Sequence, residues 1–343
     1  MRVSATSTLP PLAELLEGMR VVSIPMRVRF RGLSVREVAL VHGPIGWGEF
    51  GPFPEYDDLE SSRWLAAALE AGWLGWAAPV RDSVPVNATV PAVPANDVGD
   101  ILARYDGCST AKVKVAERGQ RLEDDVDRVA AVREGMGSQA RIRVDANGGW
   151  TVAEATDALR RLSAYGLEYV EQPCASVGDL AALRVALARN GIDILVAADE
   201  SIRKAADPMR VVREGAADVI VVKVAPLGGV RAALAIAEEC GLPTVVSSAL
   251  DTSVGIRAGL ALAAALPELP FACGLGTVEL MAGDVTDDSL VPVSGSIALR
   301  DLTVKPELLD KWQAPADRQS WWRERVIRCH AQCAKGSRSR SPR

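Results

Sequence analysis

A repeating step through the middle of the chain limits the fold more than any other feature. Short β-branched, apolar runs at 111–115, 141–144, 169–170, 194–198 and 219–222 each carry or end on charged residues. In order these are Lys112-Val113-Lys114, Asp145-Ala146-Asn147, Glu171-Gln172-Pro173, Asp199-Glu200-Ser201 and Lys223. From Lys114 onward the steps are 31, 26, 28 and 24 residues, each long enough for one helix and two short connections. Five strand-then-helix units with charges at successive strand ends predict a parallel α/β barrel with its site at the C-terminal rim. A doubly wound sheet would gather its polar groups at one switch point instead.

The 343 residues suit a barrel plus a smaller unit. Residues 1–84 read as an α+β capping domain, with 288–328 packing back on it, 85–287 as the barrel and 329–343 as a disordered tail ending in the basic Gly336–Arg343. In the cap, 24–31 alternates, with Arg27, Arg29 and Arg31 on one face and Met26, Val28 and Phe30 on the other. That arginine face is either solvated or substrate-binding. The proline-stiffened loop 51–56 offers Phe53 and Tyr56 as substrate contacts or as loop anchors. Strand 1 falls at 84–93, strand 7 at 243–248 and strand 8 at 271–276. A net charge of −5 gives no reason to expect a nucleic acid or a membrane surface as partner. Six cysteines without a disulfide framework point to the cytoplasm. Pro10, Pro11, Glu14 and Glu17 spoil a signal peptide, and Pro267, Glu268 and Pro270 interrupt the most apolar stretch.

The rim residues suggest a chemistry. Asp145, Glu171 and Asp199 form an all-oxygen set suited to a hard divalent cation, Mg²⁺ with Mn²⁺ as substitute, and not to zinc. The plainer alternative pairs these acids with helix arginines. Glu200, beside Asp199, faces the other way along a strand and is expected to hold a lysine or a ligand. Only seven of the 39 basic side chains are lysine, and three of them, Lys112, Lys114 and Lys223, stand at strand ends. Lysine can act as a base where arginine in practice cannot. Strands 2 and 6 of an eight-stranded barrel are opposed, so a carboxylate substrate would lie between the two sets of lysines. The pair Cys329-His330-x-x-Cys333 is taken as incidental to function.

The ordered set Lys112-Val-Lys114, Asp145-Ala-Asn147, Glu171-Gln-Pro, Asp199-Glu-Ser and Lys223 resembles the muconate-cycloisomerase-like subgroup of the enolase superfamily. Gly46-Trp47-Gly48-Glu49 in the cap is similar to that family's N-terminal domain. The resemblance covers nearly the whole chain. It implies a modified TIM barrel, (β/α)7β, with Asp145, Glu171 and Asp199 as metal ligands and Lys114 and Lys223 as the acid/base pair. Lys112, Glu200 and Asn147 are auxiliary. Within the subgroup, the cap segment 46–56 and the stretch 247–255 are most similar to the dehydratases of menaquinone biosynthesis. These convert a cyclohexadiene carboxylate bearing hydroxyl and succinyl groups into an aromatic acid. Ser247, Ser248, Gly274 and Leu275, on strands 7 and 8 towards their loops, would hold the succinyl group. No histidine stands near strand 7 for mandelate-racemase chemistry, and strand 8 lacks the Asp-x-Asp of dipeptide epimerases. N-succinylamino acid racemisation uses the same paired lysines and stays open. The non-enzymatic alternative is a barrel that only binds a carboxylate.

Overall fold

The computed structural model describes residues 9–204 and 207–339. Its first unit is an antiparallel sheet of β1 (Arg20–Phe30), β2 (Leu33–His42) and β3 (Trp47–Phe50). Arg31 and Gly32, both with positive φ, make the β1–β2 turn, so Arg31 belongs to a hairpin tip and not to the strand's arginine face. A short helix α1 (Leu12–Glu17) precedes the sheet. Helix α2 (Asp58–Leu69), capped by Asp57 accepting from the Glu60 amide, buries Trp64, Leu65 and Ala68 against it.

The barrel strands are β5 (Ala88–Val90), β6 (Thr110–Lys114), β7 (Arg141–Asp145), β8 (Leu167–Glu171), β9 (Leu195–Ala198), β10 (Val219–Val222) and β11 (Thr244–Val246). They form one parallel sheet in chain order. Closure is made by Cys273 and Gly274, which bridge in parallel to Val86 and Ser247. The eighth strand expected at 271–276 is thus reduced to a two-residue seam. The stretch 84–93, read as one strand, is split: β4 (Ser83–Pro85) pairs antiparallel with β12 (Ser296–Ala298), Val86 bridges the closing seam, and β5 joins the seven-stranded sheet.

Around the sheet run α3 (Val98–Leu102), α4 (Leu122–Met136), α5 (Val152–Leu162), α6 (Val177–Arg189), α7 (Glu200–Arg203), α8 (Arg210–Arg213), α9 (Val224–Leu227), α10 (Val230–Cys240) and α11 (Ser253–Ala265). Thr151 and Glu154 form a reciprocal capping box on α5, as the Thr-x-x-Glu spacing requires. Alternate strand residues point inward. Tyr169, Ala197, Val219, Val221 and Val245 pack with Phe271 to fill the lumen below the rim. Arg143 lies fully buried among them, over the Tyr169 ring at 4.7 Å and paired with Glu168 at 2.5 Å.

After α12 (Pro306–Lys311) the long helix α13 (Ala316–Ser339) packs against α2. It overturns the expectation of disorder from 329 onward, and residues 340–343 lie outside those described. Trp322, Val326 and Cys329 recur at helical spacing and are buried, while Arg325 donates to the Pro52, Phe53 and Tyr56 carbonyls. The basic composition hid this stripe. Cys329 and Cys333 donate to the Asp58 and Ser62 carbonyls, and His330 meets the Pro10 carbonyl, so that cluster anchors a helix.

Candidate active site

The parallel register sets Lys114 beside Asp145, Asp145 beside Glu171, and Glu171 beside Ala197. Asp199, two residues beyond Ala197, therefore shares the inward face. All three carboxylates are at most 1% exposed. Lys112 Nζ lies 2.9 Å from Glu171 Oε2 and 3.3 Å from Asp145 Oδ2. Lys114 Nζ lies 2.5 Å from Asp145 Oδ2 and also donates to Asn147 Oδ1. On the far arm, Lys223 Nζ lies 2.6 Å from Asp199 Oδ2, whose other oxygen accepts from Arg203 Nε at 3.0 Å.

Four cations thus interleave with the acids, and the electrostatics follow. Lys114 and Lys112 hold the Asp145 carboxyl well below the carboxylate range, against the opposing effect of burial. Asp199, beside Arg203 and Lys223, is held down at about 2 although it too is buried. Burial, with Asp145 and Asp199 as further negative charges, pushes Glu171 up to about 7. Lys112 is held in its charged form by Glu171 and Asp145 despite its burial.

Asp145, Glu171 and Asp199 do not converge on one point: among the described residues no three Asp, Glu, His or Cys side chains form a metal cage. Their chemistry still fits a divalent cation. All the donors are hard oxygens buried at the ends of adjacent strands, and Lys112 bridges two of them, Asp145 and Glu171.

Above the row opens a cavity of ≈ 520 Å³. Its walls include Lys112, Lys114, Asp145, Asn147 and Lys223, and the cap contributes Arg29, Phe30, Arg31, Phe53 and Trp64. Phe30 lies under Lys114, whose Nζ is 5.4 Å from the ring centroid. Ser247, Ser248 and Gly274 line the opposite side, and Ser248 donates to the Gly274 carbonyl at 2.9 Å.

Two matches to known families span most of the chain. Residues 98–304 match the enolase C-terminal domain-like family, and 21–72 match the enolase N-terminal domain-like family. The o-succinylbenzoate synthase of Mycolicibacterium smegmatis is 56% identical over 327 residues, covering 95% of this chain and 99% of that protein. The o-succinylbenzoate synthase of Mycobacterium leprae is 56% identical over 324 residues, 94% of each chain. The chain belongs to the enolase superfamily, among its o-succinylbenzoate synthases. The fold agrees with solved structures of that superfamily. A muconate lactonizing enzyme from Pseudomonas fluorescens, complexed with muconolactone, matches with TM-score 0.73 at 20% identity, covering 86% of this chain and 98% of that one. A dipeptide epimerase from Enterococcus faecalis V583, complexed with Mg and L-Leu-L-Tyr, matches with TM-score 0.68 at 22% identity over 83% and 97%.

In this o-succinylbenzoate synthase family member, the residues read from sequence fall into two groups. Lys112, Lys114, Asp145, Asn147, Glu171, Asp199 and Lys223 come together in one connected network. Glu200 joins through Arg203 at 2.6 Å and Asn147 at 3.3 Å; of the two partners expected for it, a lysine or a ligand, the first is not the one it meets among the described residues. Arg29, Phe53, Ser247, Ser248 and Gly274 reach the cavity wall. Leu275 does not, because it follows Gly274 on the seam and points outward onto Gly259 of α11, fully buried. Tyr56 sits behind the wall, its hydroxyl 2.9 Å from Arg31 and 3.2 Å from Arg203. Arg203 itself was missed. Its signal was the i,i+4 spacing from Asp199 and i,i+3 from Glu200, which lets one guanidinium fork hold both acids.

Proposed function

We propose that the chain catalyses syn dehydration of 2-succinyl-6-hydroxy-2,4-cyclohexadiene-1-carboxylate to o-succinylbenzoate, a step of menaquinone biosynthesis. Lys114 takes the proton from the carbon next to the ring carboxylate, leaving an enediolate. As the ring double bond forms, the C–O bond to the hydroxyl breaks, and Lys114 returns its proton to the departing oxygen to give water. Lys223, on the opposite arm, stays an ammonium and stabilises the enediolate charge. Lys112 stays charged between Asp145 and Glu171 and adds fixed positive potential beside the base. Aromatisation drives the step, so one base suffices. Divalent-metal dependence goes with the superfamily. Asp145, Glu171 and Asp199 would hold the cation, for which we propose Mg²⁺ with Mn²⁺ as substitute, and a bound cation supplies positive charge for the substrate carboxylate.

What carries the reading is the pair Lys114 and Lys223 on opposite arms of one buried carboxylate row, in a chain more than half identical to o-succinylbenzoate synthases along its length. We further propose that the cap, 1–84 with the returning C-terminal segment, covers the mouth of the 85–287 barrel and recognises the succinyl chain through Arg29 and Phe53, with Ser247, Ser248 and Gly274 opposite. The partner is a small-molecule carboxylate. No helix among the described residues is long and apolar enough to cross a membrane, and six free thiols suit a cytoplasmic setting.

One enzyme sample and two substrates test the reading. Ultraviolet absorbance follows loss of the cyclohexadiene, and NMR in D₂O follows α-deuteration of N-succinyl amino acids. Rapid dehydration is expected. Racemisation with negligible dehydration would overturn it, and inactivity on both would assign another acid substrate.

A further inference from the structure

Two cap carboxylates end on helices of the barrel. Glu49, on β3, accepts from the Thr252 amide at 3.0 Å and the Gly255 amide at 3.2 Å, and also from the Thr252 hydroxyl. These belong to the N-cap residue and the first turn of α11. Glu70, in the π-helical turn Glu70–Leu74 that continues α2, accepts from the Val230 amide and, at 3.2 Å, from the Arg231 amide. Those open α10, and Arg231 adds an ion pair at 2.8 Å. Both carboxylates are under 9% exposed. The opening amides of a helix have no partner within it, so an acceptor brought to them satisfies groups the helix leaves unpaired.

The glycines at these contacts are needed for the approach. A Cβ on Gly229, whose φ is +128°, would stand 2.4 Å from Glu70 Oε2. A Cβ on Gly255 would stand 2.6 Å from Asp251 Cβ and 3.1 Å from Glu49 Cδ. Gly229, between α9 and α10, therefore serves docking of the cap. Each held helix follows directly on a segment of the cavity wall. Lys223, α9 and Pro226 lead into α10, and α9 packs on α2 of the cap. Ser247, Ser248 and Leu250 lead into α11, and the Leu250 carbonyl accepts from Arg36 of β2 at 2.9 Å.

We propose that Glu70 and Glu49 are positioning residues for the reaction. Glu70 sets the placement of Lys223 through α10, and Glu49 sets the placement of the Ser247–Leu250 wall through α11. The inference rests on the dehydratase reading for its kinetic arm and is independent of it in its exchange arm. The cap is accordingly pinned at this side of the mouth, and adjustment is left to the Arg29–Gly32 and Phe53 side.

The test compares alanine, glutamine and aspartate variants of each residue, at a temperature where every variant used is folded. Glu70→Ala lowers kcat by roughly ten- to a hundredfold with KM nearly unchanged, because Lys223 is misplaced while the pocket stays. Glu49→Ala acts chiefly on KM, raising it about tenfold. Glutamine keeps an oxygen acceptor for the amides, so Glu70→Gln and Glu49→Gln recover most of each loss. Aspartate withdraws the acceptor by one methylene without removing charge, and stands in where an alanine variant does not fold. Amide exchange by mass spectrometry is expected to rise at 223–231 only for Glu70 variants and at 247–255 only for Glu49 variants. A lower melting temperature with kcat and KM per folded molecule unchanged would reduce both to structural pins and overturn the proposal. So would glutamine variants as impaired as alanine, or exchange that rises everywhere alike. Wild-type protein inactive as a dehydratase would refute the function, and the exchange pattern would then decide the inference.

Discussion

The two walls of the cavity are built differently. On the barrel side, from β6 round to β10, the lysines and carboxylates stand on or next to strand ends and are tied to their neighbours by charge, Lys112 to Glu171, Lys114 to Asp145 and Lys223 to Asp199. On the cap side, Arg31 lies over the Phe53 ring at 4.0 Å, and Arg29 donates to the Gly32 carbonyl at 3.3 Å. The first wall is fixed by a hydrogen-bonded sheet and buried ion pairs. The second is a hairpin tip held by stacking, the Arg31–Glu55 ion pair and the Arg31–Tyr56 hydrogen bond, beside a loop whose carbonyls are held from behind by Arg325 of α13. Chemistry common to a superfamily needs the rigid wall, while choice among substrates needs one that can change without disturbing the first. Breaking each wall should therefore have different kinetic consequences.

The largest effect is expected from the carboxylates. Thorough chelation should abolish turnover, with a loss of about 10³-fold or more and recovery on adding Mg²⁺, since the cation's charge is worth several kcal/mol to the enediolate. Asp199→Asn should be similarly impaired and recover poorly with added metal. Full turnover by chelated enzyme would end the metal assignment. Next come the lysines. Lys114→Arg and Lys223→Arg should each lose roughly 10²–10⁴-fold in kcat, the usual range for a lost acid/base group, with circular dichroism unchanged. Arginine keeps the charge but neither the proton transfer nor the ammonium's compact shape. A near-normal rate for Lys114→Arg would move the base to Lys112.

The cap wall should respond more weakly and through KM. Arg29→Ala in the cap, and Ser248→Ala on the barrel face opposite it, are each expected to lower kcat/KM by about tenfold with kcat within a few-fold, because both are proposed to touch substrate away from the reacting carbon. A large fall in kcat at constant KM for Arg29→Ala would mean that the cap takes part in the chemistry, and the contrast between the walls would fail.

The same contrast explains what could be read from the sequence. A strand end is a position in a period, so Lys114, Asp145, Glu171, Asp199 and Lys223 could be placed by counting, and an alternating strand tells Asp199 from Glu200. Nothing periodic marks a hairpin tip. Arg31 was assigned to a strand face because its sequence alternates with Phe30, and only the positive φ at Arg31 and Gly32 reveals the turn. Leu275 was read into the pocket because strand 8 was taken to be long. With the seam only two residues wide, its one inward side chain position falls at Gly274. Helix α13 failed for another reason. Its apolar stripe, Trp322, Val326 and Cys329, is interrupted by arginines that cover it, and Arg325 is itself buried by hydrogen bonds to the 52–56 loop, a long-range contact with no local trace.

The smallest expected effect tests the seam between the walls. Burial beside Asp251 pushes the Glu49 carboxyl up to about 8 from its ordinary 4.5, although Arg36 and the Thr252 and Gly255 donors pull the other way. A carboxyl with a raised folded-state pKa binds its proton more tightly in the folded protein than in the unfolded chain. Its contribution to stability is therefore full below the ordinary value and is lost as pH rises towards about 8. Asp145 and Asp199, held low by their cations, act in the opposite sense and lose their contribution only as pH falls into the acid range. Between about pH 6 and 9 the melting temperature should accordingly decline, with Glu49 responsible for about 2–4 °C, the shift that one or two kcal/mol produces in a chain of this size. Glu49→Gln carries the neutral form's shape at every pH, so its melting temperature should match wild type at about pH 6 and exceed it at about pH 9. Parallel curves for the two proteins would mean that Glu49 is ionised throughout. Its grip on α11 would then be that of a charge on a helix dipole, and Gln would weaken the latch at every pH.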